Sequence, residues 1–371
     1  MDFTLSDEQT TLKEVLRDFF EKKSPEAAVR GQMADPSGYD RGLWRQMADQ
    51  LALPGLTVPE EFGGAGFTFV ELGLVVEEMG RALVVSPFFA SSVMATGLLV
   101  ALNDPDANAE YLPKLAGGEL IATVALAENS GSWQPVDVSL TATETAEGWI
   151  LSGHKSFVLD GAVADLLLAV ARAGRRIGVF AVDGAAGGTT RMPLHTMDQT
   201  RKQARIEFDA TPARLIGTLE NGCRAVETML DHASIALAAE AVGGHGRVLD
   251  MAVDYVKMRE QFGRPIGSFQ AIKHKCASML VELESARSAA YYGLYAASHG
   301  DPEVAQLASL AKAFCADAFL GASGENIQMH GGIGFTWEHP AHLYLKRANN
   351  IRAFLGDSDF HRRRLADLVG I

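Results

Sequence analysis

Glu240 is the side chain in this sequence with the plainest chemical use. It stands in Ser234-Ile235-Ala236-Leu237-Ala238-Ala239-Glu240-Ala241-Val242-Gly243-Gly244, and no other Asp or Glu lies between Asp231 and Asp250. A carboxylate in so apolar a stretch is costly to bury unless a cation pairs with it or it holds a proton more tightly than usual. The second condition suits a general base near neutral pH. The first describes an ion pair between helices. Arg259 offers different chemistry: it closes a helical stretch just before a Gly-Pro break, where a planar cation can grip a pyrophosphate with two hydrogen bonds. A salt bridge to a neighbour such as Glu260 would use it equally well. Gly331, Gly332 and Gly334 take Cβ atoms out of one turn, which lets backbone approach a bulky ligand or simply ends a helix. Cys223, Cys276 and Cys315 are far apart and odd in number. They form no metal pattern and no disulfide framework, so no metal is expected and a reducing, cytoplasmic setting fits.

The bulk properties narrow the partners. A net charge of −13 argues against nucleic acid, so any phosphate-bearing ligand must meet a local cluster of Arg, Lys and backbone N–H groups. No run of about 18 uncharged apolar residues occurs, so no membrane span is expected. The first residues lack a basic region followed by an apolar stretch, so no secretory signal is expected.

Helices, a β module and then helices again must position these side chains. The 371 residues exceed one simple core. Ser6-Asp7-Glu8-Gln9 opens an amphipathic helix, with Leu12, Val15, Leu16, Phe19 and Phe20 at helical spacing. Further helices are expected over 42–51, 69–80 and 86–102, with a Pro/Gly-punctuated loop over 54–64. From about residue 120 short β-type runs follow closely, at 122–126, 138–143, 149–151, 156–159, 166–171, 177–182 and 204–208. Long apolar-periodic stretches then cover 224–259, 269–298 and 302–329, with a last helix from about His339. The expected class is α+β, mainly α: an N-terminal helical domain (1–119), a central antiparallel β-barrel or sandwich (120–216) and a C-terminal four-helix bundle (217–371).

Three segments resemble the acyl-CoA dehydrogenase family. They are Val58-Pro59-Glu60-Glu61-Phe62-Gly63-Gly64-Ala65-Gly66; Tyr255-Val256-Lys257-Met258-Arg259-Glu260-Gln261-Phe262-Gly263-Arg264-Pro265-Ile266 followed by Phe269-Gln270; and Gln328-Met329-His330-Gly331-Gly332-Ile333-Gly334-Phe335. Their order and separations match the family, within a bacterial branch that includes enzymes acting on steroid side chains. The resemblance implies FAD as cofactor and an acyl-CoA substrate desaturated between its α and β carbons. It implies that Arg259, Phe262, Gln270, Gln328, Gly331, Gly332 and Gly334 reach the FAD of a neighbouring subunit. It also implies an oligomer, either a homotetramer or an α2β2 hetero-oligomer, and an electron-transferring flavoprotein as acceptor.

The chain departs from the family at informative places. The usual base position falls on Leu355, just before Gly356, and leucine cannot accept a proton. The backbone N–H there, which the family uses on the thioester carbonyl, is independent of the side chain. Asp357 lies one peptide beyond Gly356 and is a weak substitute. Some members carry the base on the long helix before the Arg259 motif, which moves the expectation to Glu240. In Ala125-Leu126-Ala127-Glu128-Asn129-Ser130-Gly131-Ser132-Trp133, Ala127, Asn129 and Trp133 replace a hydroxyl, a proline and an aspartate. Ser132 remains for FAD phosphate or the thioester region, or else bonds its own loop. In Gly153-His154-Lys155-Ser156-Phe157-Val158-Leu159-Asp160, Phe157 can stack on the flavin ring. Leu159 lacks the hydroxyl usual near flavin N5, and a core strand explains the same residues. Two readings follow: a dehydrogenase with Glu240 as base, or a half-site partner that completes another chain's FAD site.

Overall fold

The computed structural model describes residues 5–371. They form two compact units: the chain up to Arg30 with Phe69–Val84 and Ser234–Ile371, and Gly31–Thr68 with Val85–Ala233. The observed class is the expected one, with helices, a β-rich centre and helices again.

In the first unit, α1 (Asp7–Lys23) starts on the expected signal. Ser6 Oγ accepts from Gln9 N–H and the Gln9 side chain caps Ser6 N–H in return. Leu16 and Phe20 are its fully buried contacts. Helix α4 (Phe69–Arg81) is buried along most of its length and carries Glu77 and Glu78. Arg17 meets Glu78 with two hydrogen bonds, and Lys13 and the Tyr291 hydroxyl both donate to Glu77. The long α7 (Gly222–Met258), α8 (Gln270–His299), α9 (Val304–His330), α10 (Ala341–Ala353) and α11 (Ser358–Val369) follow, the division between units falling inside α7.

A single last helix was expected, but the chain breaks it. Leu355 and Gly356 both adopt positive φ, at 60° and 100°, and Asp357 then caps α11 by accepting from Phe360 N–H at 2.7 Å. Helix α9 and the turn after it, Val304–Phe335, are long and apolar enough to cross a bilayer by length and composition. Its packing explains the composition: α9 contacts α8, α10 and α11 and is buried along most of its length.

The second unit holds α3 (Arg41–Leu51), α5 (Thr96–Leu102), α6 (Pro105–Ala116) and a seven-stranded sheet. Residues Phe89–Ala95 enter α5 as a π-helical stretch, so the helix expected from 86 is real but partly wider wound. The strands are β1 (Ala122–Ala125), β2 (Thr141–Thr145), β3 (Gly148–Leu159), β4 (Leu166–Ala173), β5 (Arg176–Asp183), β6 (Thr189–Pro193) and β7 (Gln203–Ile216). The ladders β4–β2–β3–β7–β5 close on themselves through β4–β5, which makes the barrel-like core. Two pairings, β1–β4 and the single β2–β4 bridge, are parallel; the rest are antiparallel.

Two of the expected β runs are one strand. β3 stays continuous but shifts register against β7 between Leu151 and Gly153 and again between Lys155 and Val158. Helices α2 (Glu26–Ala34) and α6 and strand β6 were not anticipated. α6 opens on an Asp104 cap with Pro105 in the first turn, a start signal in a segment to which no element was assigned.

Candidate active site

Glu240 sits in the middle of α7 with 4% of its surface exposed. Its Oε1 lies 2.5 Å from Nη1 of Arg347 on α10, whose side chain is equally buried. The carboxylate therefore meets the paired condition set out above. Its surroundings are tightly packed. A Cβ at Gly80 on α4 would overlap the Glu240 carbonyl oxygen, and one at Gly243 would overlap that of Glu77. Gly244 lies against the Phe319 ring. The small residues of this stretch let α4, α7 and α9 approach closely, and that accounts for them without an open cavity.

The usual base position is a strained turn. Leu355 is buried at 2% exposure with φ 60°, where a residue with a Cβ is disfavoured by about 1 kcal/mol. Its N–H forms no hydrogen bond within the chain among the described residues. Its carbonyl oxygen meets His361 Nε2 at 3.1 Å. Lys312 Nζ donates to the Arg352 carbonyl at 2.7 Å and to the Gly356 carbonyl. Asp357 caps α11 instead of facing this turn's donor.

In the second unit, the loop after β1 is fixed by a buried ion pair. Lys155, with no exposed surface, donates to Glu128 at 2.9 Å and to the Leu126 carbonyl at 2.8 Å. Burial pushes the Lys155 ammonium down to about 8, and Glu128 opposes that shift. For Glu128, burial alone would raise the pKa; Lys155, the Ser139 hydroxyl and the Leu140 N–H overcome it and hold the group at about 2. Asn129, standing where the family has proline, accepts from Ser156 Oγ and from Arg205 on β7. Ser156 N–H donates to the Ala127 carbonyl at 2.8 Å. Ser132 is locally engaged: its hydroxyl donates to Asp137 at 2.6 Å and accepts from Gln134 N–H.

Phe157 differs from its neighbours. Lys155, Ser156, Val158 and Leu159 are buried, whereas Phe157 turns outward at 38% exposure with φ 58°. The register shift between Lys155 and Val158 is the bulge that turns it out. Core packing thus explains Leu159 and Val158 but not Phe157.

The remaining predicted residues gather at one end of the first unit. Tyr255 stacks on His330 with centroids 4.2 Å apart, which ties the end of α7 to the end of α9. Cys276 Sγ lies 3.9 Å from Met329 Sδ, so the start of α8 joins them. The hairpin of β8 (Glu260–Gln261) and β9 (Arg264–Pro265) folds back on α8 through Phe262 and Arg264, both against the Phe269 ring. Arg259, Phe262, Gln270, Gln328, Gly331 and Gly332 are exposed here, and Phe262 is 91% exposed. The first N–H groups of α8 have no side-chain cap. That is the arrangement that receives an anion. Gly331 needs its positive φ, and nothing lies within 4 Å of a Cβ at Gly331 or Gly332. Gly334 is buried, and a Cβ there would crowd His330 and Ile327, so it serves the turn.

Comparison with known proteins decides what this arrangement belongs to. Residues 6–119 match the model "Acyl-CoA dehydrogenase, N-terminal domain", and residues 220–370 match "Acyl-CoA dehydrogenase, C-terminal domain". The acyl-CoA dehydrogenase IpdE2 of Mycobacterium tuberculosis is 35% identical over 99% of this chain and 98% of its own. The chain belongs to the acyl-CoA dehydrogenase family. Members of this family are FAD-dependent oxidoreductases that act on acyl-CoA thioesters. Among solved structures, a variant of the Tcur3481-Tcur3483 steroid ACAD matches with TM-score 0.89 and 31% identity, covering 99% of each chain. The ChsE4-ChsE5 complex of Mycobacterium tuberculosis matches with TM-score 0.91 and 25% identity, covering 100% of this chain and 99% of that one.

The residues present suit FAD in two places. The exposed Phe157 ring offers an apolar face to an isoalloxazine. Arg259, Gln270 and the uncapped start of α8 offer donors to a pyrophosphate. Sequence reasoning missed Lys155, Arg347, Lys312 and His361, and gave Asn129 only as a departure from the family. Lys312 stands among apolar neighbours, the signal that singled out Glu240, and Lys155 and Asn129 lie in the quoted segments, whereas Arg347 and His361 stand among charged and polar residues and gave no such signal.

Proposed function

We propose that this chain carries out FAD-dependent α,β-desaturation of an acyl-CoA thioester, with Glu240 as the base. The observation that carries this reading is the Leu355 turn. Its side chain is useless for proton transfer, yet the backbone keeps a strained left-handed conformation and a free N–H. Strain of this kind persists where a conformation is used. Leu355 N–H donates to the thioester carbonyl and stabilises the charge that grows there as the α proton leaves. Glu240 takes that proton. Arg347 favours the charged form of Glu240 that a base needs, and the same attraction opposes proton uptake, so the pair must loosen on substrate binding. Phe157 holds the ring of FAD, while Arg259, Phe262, Gln270, Gln328, Gly331 and Gly332 hold a neighbouring subunit's FAD. When bound, FAD supplies the acceptor for the β hydrogen and its electron pair. An electron-transferring flavoprotein is the onward acceptor, and the assembly is a homotetramer or an α2β2 hetero-oligomer.

Glu240→Gln tests the base. Turnover is expected to fall at least about 100-fold with flavin absorbance retained. Turnover at the wild-type rate removes Glu240 from the mechanism.

One observation favours a second reading, in which the chain is the half-site partner in a mixed assembly. Glu240 is already paired, while the residues that reach a neighbour's FAD are exposed. Chain purified alone is then colourless and turns yellow only with a second, unlike chain. Yellow protein from the single chain contradicts this.

A further inference from the structure

Lys312 and His361 are fully or almost fully buried ionisable groups with no part in proton transfer. Both point their donors at carbonyl oxygens of one five-residue turn, 352–356. We propose that Lys312 and His361 are positioning residues that hold this turn so that Leu355 N–H is presented to the thioester carbonyl. The inference rests on the desaturation reading above.

The hydrogen-bond directions fit this role. A carbonyl can only accept, so His361 Nε2 carries the proton and donates to the Leu355 carbonyl. His361 Nδ1 is then the acceptor, and it faces Ser309 Oγ at 3.4 Å. Ser309, with no exposed surface, in turn accepts from Arg364 Nη1 at 3.1 Å. The relay runs one way, from Arg364 through Ser309 and His361 to Leu355. The ring must stay neutral for it, and burial, with Lys312 nearby, pushes His361 down to about 3.

On the other side, Lys312 ties the end of α10 at Arg352 to Gly356. Phe354 N–H is held by the Asn350 carbonyl at 2.9 Å. The peptide that carries Leu355 N–H therefore lies between anchored peptide planes, and its direction is set by the left-handed φ between them. Leucine gains nothing from that conformation by itself. A buried lysine and a buried histidine are an expensive way to hold carbonyls, which water would satisfy if the turn were open.

The test uses the flavin-loaded assembly and the carbonyl stretch of bound trans-2-octenoyl-CoA, read by infrared difference spectroscopy. In wild type, donation from Leu355 N–H lowers the stretch relative to the free thioester. In Lys312→Met and in His361→Phe, the shift is expected to shrink by about half or more. kcat is expected to fall about tenfold with KM changed less than threefold, a fraction of what losing an oxyanion donor outright costs. His361→Gln keeps a side-chain donor and is expected to restore most of the shift. The two variants act from opposite sides of the turn, so misfolding of one leaves the other to decide. If wild type shows the lowered stretch and both variants keep it in full, the positioning role is overturned. If the thioester binds wild type without any shift, the desaturation reading fails first, which is a distinct outcome.

Discussion

Lys155 and Lys312 are buried to the same degree, in different units, and each fixes a segment of backbone. Lys155 meets a carboxylate as well as a carbonyl, and the pair is nearly self-sufficient: Glu128 stays charged well below the usual carboxylate range. Lys312 meets only carbonyl oxygens at bonding distance, and burial pushes it down to about 7 against the pull of Asp357 and Asp317. A lysine thus locks a loop by two routes. Where an acid is opposite, the lock is a charge pair that fails badly if half is removed. Where only carbonyls are opposite, the lysine can give up its proton and still donate.

Breaking the first lock should have the largest effect. Glu128→Gln strands a buried ammonium, and the expected loss is about 3–5 kcal/mol by denaturant unfolding, with the midpoint falling at unchanged slope. Lys312→Met should cost less, about 1–3 kcal/mol, because it leaves unsatisfied carbonyls and no stranded charge. If the two losses are equal, the distinction between the locks is wrong.

The legible and illegible parts of the molecule divide along the same physics. Periodic apolar stretches gave α7, α8 and α9 nearly to the residue, since helical spacing is a local property. Motif residues such as Arg259, Gln270 and Gly331 could be placed at one end of the helices from their positions alone. The pairing of Glu240 with Arg347 could not, because the two are 107 residues apart and only the fold brings α10 to α7. The break at Leu355 was hidden for a related reason. Leucine gives no hint of a positive φ, and what stabilises that conformation, Lys312 and His361, comes from other helices. Phe157 was half legible: its neighbours alternate as a core strand does, and the bulge that turns it out depends on register with β7.

Acid titration sharpens the contrast further. His361 has a folded pKa near 3 against an ordinary 6.5, so the unfolded chain binds its proton first as pH falls. Its contribution to stability is complete above about 6.5 and is lost between there and about 3, at up to about 1.4 kcal/mol per pH unit. Stability against pH should fall more gently over that window in His361→Gln than in wild type. Parallel curves would contradict the neutral, buried ring on which the relay depends.

Phe157→Gly is expected to have the smallest effect on stability. Glycine tolerates the positive φ but costs unfolded-chain entropy, so flavin-free protein should stay within about 1 kcal/mol of wild type. Flavin affinity should fall about five- to tenfold as the stacking face is lost, an effect of about 1 kcal/mol. Unchanged affinity by flavin fluorescence would return Phe157 to an incidental surface residue.

The most decisive measurement is an anaerobic titration of the purified, flavin-loaded chain with a panel of saturated straight-chain, branched and steroid-side-chain acyl-CoA thioesters, following the flavin absorbance. If this chain holds its own acyl site, at least one thioester bleaches the flavin, and Glu240→Gln binds the same thioester without bleaching. Absence of bleaching with every thioester, in protein that does carry flavin, would contradict the proposed desaturation.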